Sequence, residues 1–140
     1  RTASSRTKVS RQCFVHARSG DCLRETYLQG AKLGEGAYGE VFVMLHKALG
    51  RARVVKVLPK VKIGTAVESI ESEVELLKSL DHPHIVRIYE TFETADDLNI
   101  VMDYAEGGDL ASVLRNSPNQ QVGEKIAVCM AEQIAAALEY

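Results

Sequence analysis

No apolar run in this chain approaches the ~20 residues that a membrane-spanning helix needs, and its first residues are charged and hydroxylic, without the apolar stretch of a signal peptide. The chain begins at Arg1 rather than methionine, so any lipidation signal at a natural start is not readable from it. Cysteine is sparse: Cys13, Cys22 and Cys129 are an odd set without metal-ligand spacing. They read as reduced thiols of a cytoplasmic protein, with a Cys13–Cys22 disulfide as the lesser alternative. Aromatic residues are nearly missing from the basic N-terminal stretch, where Phe14 stands alone. Base stacking on nucleic acid therefore has no platform there. Internal repeats and low-complexity blocks are also lacking.

What is present is one ordinary globular domain or part of one: 140 residues, 46% hydrophobic and 26% charged. Charge is unevenly spread. Residues 1–24 hold six Lys/Arg against one acidic residue (net +5), and the remainder holds eleven against eighteen (net −7), giving −2 in all. Residues 1–25 read as a basic, flexible arm. In that arm Arg1 stands three before Ser4, a pattern basophilic kinases modify; phosphate there would add about −1.5 to −2 charge.

The most informative stretch is Gly34-Glu35-Gly36-Ala37-Tyr38-Gly39-Glu40-Val41. Glycines at G-x-G-x-x-G spacing let backbone approach a bulky anion, with positive φ open to them and N–H groups free for phosphate oxygens. A dinucleotide-binding fold would continue into a helix. Here Val41-Phe42-Val43-Met44-Leu45 follows, rich in β-branched and aromatic residues, and reads as a strand. Strands are expected at 26–35, 40–47 and 52–58, Pro59 ending the third. A hairpin turn without ligand is the plain alternative.

A helix follows from Ala66 to Leu80, with Thr65 and Glu68 spaced as a capping box. Ala66, Val67, Ile70, Val74, Leu76, Leu77 and Leu80 share one broad arc, and Glu73 falls in its middle, where a carboxylate needs a cation. Pro83 ends this segment. Strands are expected at 85–92 and 98–104, then a flexible Glu106-Gly107-Gly108, a short helix capped by Asp109, and a helix from about Gly123 to Tyr140. That last helix is apolar around most of its circumference, as expected of one buried in a larger body than these residues supply. Lys56, on the same face of its strand as Val54, is the natural cation for Glu73 and for phosphate.

The sequence resembles the protein kinase superfamily over about residues 27–140. Gly34–Val41 resembles the glycine-rich loop, Val54-Val55-Lys56 the lysine strand, and Glu73 the glutamate of helix C. Asp81-His82-Pro83-His84-Ile85-Val86 is similar to the turn after that helix, and Ile100–Leu110 to the last N-lobe strand, hinge and next helix. Glu35–Val41 and Leu76–Pro83 look most like calcium-dependent and calmodulin-dependent serine/threonine kinases. The resemblance implies an α+β, protein-kinase-like fold. A five-stranded antiparallel N-lobe sheet with helix C (26–104) would be followed by the first helices of a mainly helical C-lobe (105–140, incomplete).

It also implies ATP and Mg2+ as cofactors and protein Ser/Thr as substrate, with basic residues before the acceptor as one preference. Lys56 and Glu73 would be the catalytic pair, and the base of the catalytic loop would lie beyond Tyr140. Leu33, Val41 and Val54 would line the adenine, Met102 would be the gatekeeper, and Asp103 and Ala105 would offer hinge backbone groups. Gly34, Gly36, Gly39 and Tyr38 would cover the phosphates, and Asp109 would reach the ribose or a basic substrate residue. Two positions depart from the pattern: Val54 replaces the usual alanine and His84 the common asparagine. H-R-D, D-F-G and A-P-E segments are not in this sequence, nor is an EF-hand loop, so these residues alone are expected to be inactive. The alternative is a pseudokinase or nucleotide-binding scaffold module; a dinucleotide enzyme would require a helix at Val41–Leu45.

Overall fold

The computed structural model describes residues 17–19 and 21–140, so the expectations on Ser4 and Cys13 lie outside the described residues. In chain order the elements are β1 (Ala17–Ser19), α1 (Asp21–Thr26), β2 (Tyr27–Gly36), β3 (Gly39–His46), β4 (Arg51–Pro59) and α2 (Lys60–Ile63). A 3-10 turn (Gly64–Ala66) leads to α3 (Val67–Ser79), β5 (Ile88–Glu93) and β6 (Asp97–Met102). Then come α4 (Leu110–Asn116), a second 3-10 turn (Pro118–Gln120) and α5 (Glu124–Glu139).

The sheet has six strands in the order β1-β5-β6-β4-β3-β2. Five of them form the expected antiparallel sheet. The sixth, β1, is added in parallel on the edge of β5, with Ala17 opposite Thr91 and Ser19 opposite Glu93. The flexible arm expected over 1–25 is therefore corrected at its C-terminal end, where a strand and a helix belong to the fold. Pairing gives partners to the open edge of β5. Leu23 of α1 is buried with Tyr27, Met44, Val55, Phe92 and Val101, and the Tyr27 and Phe92 rings meet edge to face at 6.2 Å.

Strand alternation sorts the residues into two cores. Val55 and Val101 face the side covered by Leu23. Leu58 and Ile100 face the opposite side, where they pack with Ile63, Ile88, Leu98 and Val74 of α3. Val67, Ile70 and Leu77 complete that contact, so the buried stripe of α3 is 67-70-74-77. Leu76 is 61% exposed and Glu73 is exposed. The broad arc expected from the sequence is thus rolled by roughly half the ~100° that separates successive residues, which moves Glu73 from its middle to its flank.

Thr65 also departs from expectation. Ala66 is the N-cap of α3 and makes no side-chain cap; its φ of −79° and ψ of −1° are already helical. A capping side chain needs extended backbone at the cap, and the 3-10 turn removes it. Asp109 does cap α4, its Oδ1 accepting from Ser112 N at 2.5 Å. At the other end, α5 stops at Glu139, so Tyr140 follows the last helix as its C-cap rather than closing it.

Candidate functional site

The glycine stretch folds as a two-stranded hairpin. Gly34 pairs with Val41, Glu35 with Glu40 and Gly36 with Gly39, leaving Ala37 and Tyr38 as the turn. Val41–Leu45 is strand, not helix, which removes the dinucleotide-fold alternative. The positive φ expected of these glycines is not used, since the glycines at positive φ are Gly50, Gly64 and Gly108. The motif's glycines serve space instead. A Cβ built on Gly34 meets nothing within 4 Å, and one on Gly36 meets only the Gly39 carbonyl at 4.0 Å. Gly39 is the opposite case, because its Cβ would fall 1.9 Å from the carbonyl oxygen of Val57.

Charge fastens the hairpin. Lys32 Nζ donates to Glu35 Oε2 at 2.8 Å and to Glu40 Oε1 at 2.6 Å, bridging two carboxylates that oppose each other across the strands. The bonds to these glutamates raise the Lys32 pKa, and the bond from Lys32 lowers that of Glu35. Sequence reasoning passed over this trio. The cross-strand pairing that brings residues 32 and 40 together would have shown it.

Below the hairpin, strand register sets two rows on one face. Val41, Lys56 and Ile100 are opposite one another across β3, β4 and β6, and Val43, Val54 and Met102 form the next row. Val54 is buried and Met102 half-buried, while Leu33 and Tyr38 are exposed at 49% and 57%. The rows join the glycine hairpin, the lysine and Met102 on one surface.

Glu73 is not brought to that lysine. Among the described residues, neither Lys56 nor Glu73 has an ion-pair partner within 4.0 Å. The cause is the roll of α3, which puts Val74 against the sheet. Lys78, rather than Glu73, is the charge turned toward the sheet. Its side chain is 9% exposed, and Nζ bonds Glu75 at 2.6 Å and Thr91 Oγ1 at 3.4 Å.

At the end of β6, Asp103 N donates to Arg87 O at 3.0 Å, and Ala105 O accepts from Gly108 N at 3.2 Å. Asp103 O and Ala105 N have no backbone partner among the described residues. An acceptor and a donor thus stand free two residues apart, the complement of a heterocycle edge carrying an amino group beside a ring nitrogen. Asp109 is exposed, and its bond with Ser112 holds its carboxyl below the usual range. A cavity of about 470 Å³ behind this segment is lined by His84, Asp103, Tyr104, Ala105, Ile134 and Leu138. Among the described residues no group of three His, Cys, Asp or Glu could hold a metal ion.

Tyr140 stands apart from these rows. Its hydroxyl accepts from Asp81 N at 3.3 Å, and its ring lies tilted against that of His82 with centres 5.4 Å apart. It therefore ties the end of α5 to the turn after α3 and is no part of the surface formed by these rows.

The family model for the protein kinase domain matches residues 27–140. The chain is 38% identical over 120 residues to NUAK family SNF1-like kinase 2 of Homo sapiens, covering 84% of this chain and 19% of that protein. It is 34% identical over 93 residues to calcium-dependent protein kinase 5 of Plasmodium berghei (66% and 16%). To the serine/threonine-protein kinase ATG1 of Pyricularia oryzae it is 28% identical over 144 residues (89% and 15%). The calcium-dependent group is thus one of several at similar identity, and the chain spans 15–19% of the length of these relatives. A crystal structure of Rad53 residues 1–466 with AMP-PNP superposes with a TM-score of 0.71 at 27% identity, over 84% of this chain and 30% of that one. With the glycine hairpin, the lysine row and helix α3 in one sheet-centred unit, and the family model matching all of it, the chain belongs to the protein kinase family.

Proposed function

We propose that this chain is the ATP-binding part of a serine/threonine protein kinase that transfers the γ-phosphoryl group to protein hydroxyls. One observation carries the reading: Lys56, without an ion-pair partner among the described residues, lies in register between Val41 and Ile100, beneath a hairpin whose Gly34 and Gly36 leave open space. The fit to the nucleotide is chemical. Lys56 would meet phosphate oxygens as a compact cation. The hairpin backbone and Tyr38 would cover the phosphates, and Leu33, Val41, Val54 and Met102 would hold the adenine. Asp103 O and Ala105 N would read its edge, each bond contributing about 1 kcal/mol net. Asp109 would use the carboxylate oxygen not engaged at its cap for the ribose or a basic substrate side chain. Mg2+ would neutralise phosphate charge when bound, and the described residues supply no preformed cluster for it. Glu73 would join Lys56 once α3 rolls toward the sheet.

Because the H-R-D and D-F-G motifs are not in this sequence, these 140 residues are proposed to bind nucleotide without transferring phosphate. The open Lys56–Glu73 pair is the observation that favours the second reading, a nucleotide-binding scaffold without catalysis. The test is a thermal-shift titration of the full-length protein with Mg-ATP, wild type against Lys56→Met. Saturable stabilisation of about 2.7 kcal/mol is expected at 100-fold the Kd, with the variant greatly weakened. Phosphate transfer that survives Lys56→Met removes the lysine from the mechanism, and binding without any transfer by the full-length wild type selects the scaffold reading.

A further inference from the structure

The side chain of Asp103 is held from three sides. Tyr89 Oη donates to Oδ1 at 2.6 Å and Arg87 N donates to Oδ2 at 3.2 Å. Arg53 Nη1 stands 3.9 Å from Oδ1. Arg53 comes from β4 and Tyr89 from β5, and Arg87 is the residue just before β5. Arg53 projects from β4 opposite Met44, on the Leu23-covered side of the sheet. Tyr89 lies in β5 where the register shifts between Ile88 and Glu90, a bulge that re-aims its side chain. The Arg53 guanidinium carbon then sits 3.8 Å from the centre of the Tyr89 ring. With only 13% of the Arg53 side chain exposed, a stacked cation of this kind is favourable and directional. The ring has little freedom, so its hydroxyl is presented to Asp103 from a fixed position.

The backbone of Asp103 is tied to the residue just before β5, since its N–H donates to Arg87 O at 3.0 Å. Asp103 is thus anchored at its amide and at both carboxylate oxygens, while its carbonyl oxygen is left without a backbone partner among the described residues. Burial, and the bond to Asp103, raise the Tyr89 pKa, so the phenol keeps its proton and remains a donor through neutral pH.

We propose that Tyr89 and Arg53 are positioning residues for the nucleotide. They hold the carbonyl oxygen of Asp103 at the place where the amino group of the adenine must find it. The proposal rests on the reading of residues 103–105 as the segment that meets the nucleotide base, and it adds a relay on the far side of the sheet. Small displacements of a group that orients a bound ligand are costly, so loosening the relay weakens base recognition while leaving phosphate contacts intact.

The experiment uses the full-length protein with two probes, Mg-ATP and Mg-tripolyphosphate, which has no base. Tyr89→Phe keeps the ring under Arg53 and removes only the hydroxyl. It is expected to weaken Mg-ATP binding and raise the KM for ATP by about 3–10-fold, the size of one hydrogen bond. kcat, tripolyphosphate binding and the ligand-free melting temperature should be unchanged. Arg53→Met should give a similar loss, and the double variant no more than the larger single effect, because both act through one carboxylate. Unchanged ATP binding in Tyr89→Phe, with normal wild-type binding, overturns the relay alone. Equal loss toward ATP and tripolyphosphate, or a lowered ligand-free melting temperature that accounts for the loss, also overturns it. A wild type without saturable Mg-ATP binding overturns the nucleotide reading, and the relay with it.

Discussion

Gly39 lies so close to β4 that a Cβ on it would stand 1.9 Å from the Val57 carbonyl oxygen. The third glycine of the motif is therefore fixed by its neighbouring strand, whereas Gly34 and Gly36 look into open space. Gly39→Ala is expected to destabilise the fold by about 1–3 kcal/mol, because backbone has to move to admit the methyl group. Gly34→Ala should stay within about 0.5 kcal/mol of wild type in denaturant unfolding while weakening Mg-ATP binding. Equal stability losses at the two positions would contradict this division.

The roll of α3 makes a second contrast between adjacent residues. Val74 is 6% exposed in the core beside Leu58 and Ile88, and Glu73 next to it is exposed. Val74→Ala is expected to cost about 2 kcal/mol in chemical denaturation, from two lost methyl groups and the cavity left behind. Glu73→Gln should leave stability within about 0.5 kcal/mol. In the full-length protein the same Glu73→Gln change should lower kcat, provided that α3 rolls to pair it with Lys56.

Lys32 gives the hairpin a pH dependence with a definite sign. Its bond holds the Glu35 carboxyl below 4.5, the value for the free group. A depressed acid contributes stability that is present above pH 4.5 and is lost as pH falls through the lower folded value. The melting temperature of the wild type should therefore drop more than that of Glu35→Gln on acidification below about pH 4.5. Added salt should shrink the difference, since the pair is exposed.

Leu23 tests where the folded unit begins. It is 9% exposed among Tyr27, Met44 and Phe92, so Leu23→Ala should cost about 2–5 kcal/mol, as for other buried leucines. Deletion through Thr26 should destabilise at least as much. A denaturation midpoint unchanged by either alteration would return this segment to the status of a tail.

The parts of this fold that were legible in the sequence are those set by short-range pattern. The strand after Gly39 showed in five consecutive apolar residues, the face of Lys56 in its spacing from Val54, and the Asp109 cap in its place before Leu110. What was not legible depended on distant partners. On α3 the apolar arc spanned about half the circumference, and the choice between Leu76 and Val67 was made by Leu58, Ile63 and Ile88. The Asp103 carboxylate was passed over because Tyr89 and Arg53 reach it only across strands. Tyr140 was read as the end of a helix, and its tie to Asp81 reaches across 59 residues. The strand at Ala17–Ser19 has no periodicity of its own, and its partner, β5, lies far along the chain.

That strand has a consequence for the order of events during folding. Ala17 is matched with Thr91, 74 residues later, although it is made first. Contacts of such long sequence separation are slow to close, and during synthesis the earliest segment has no docking surface until β5 has emerged and joined β6. Strand β1 is therefore expected to be the last strand seated in the sheet.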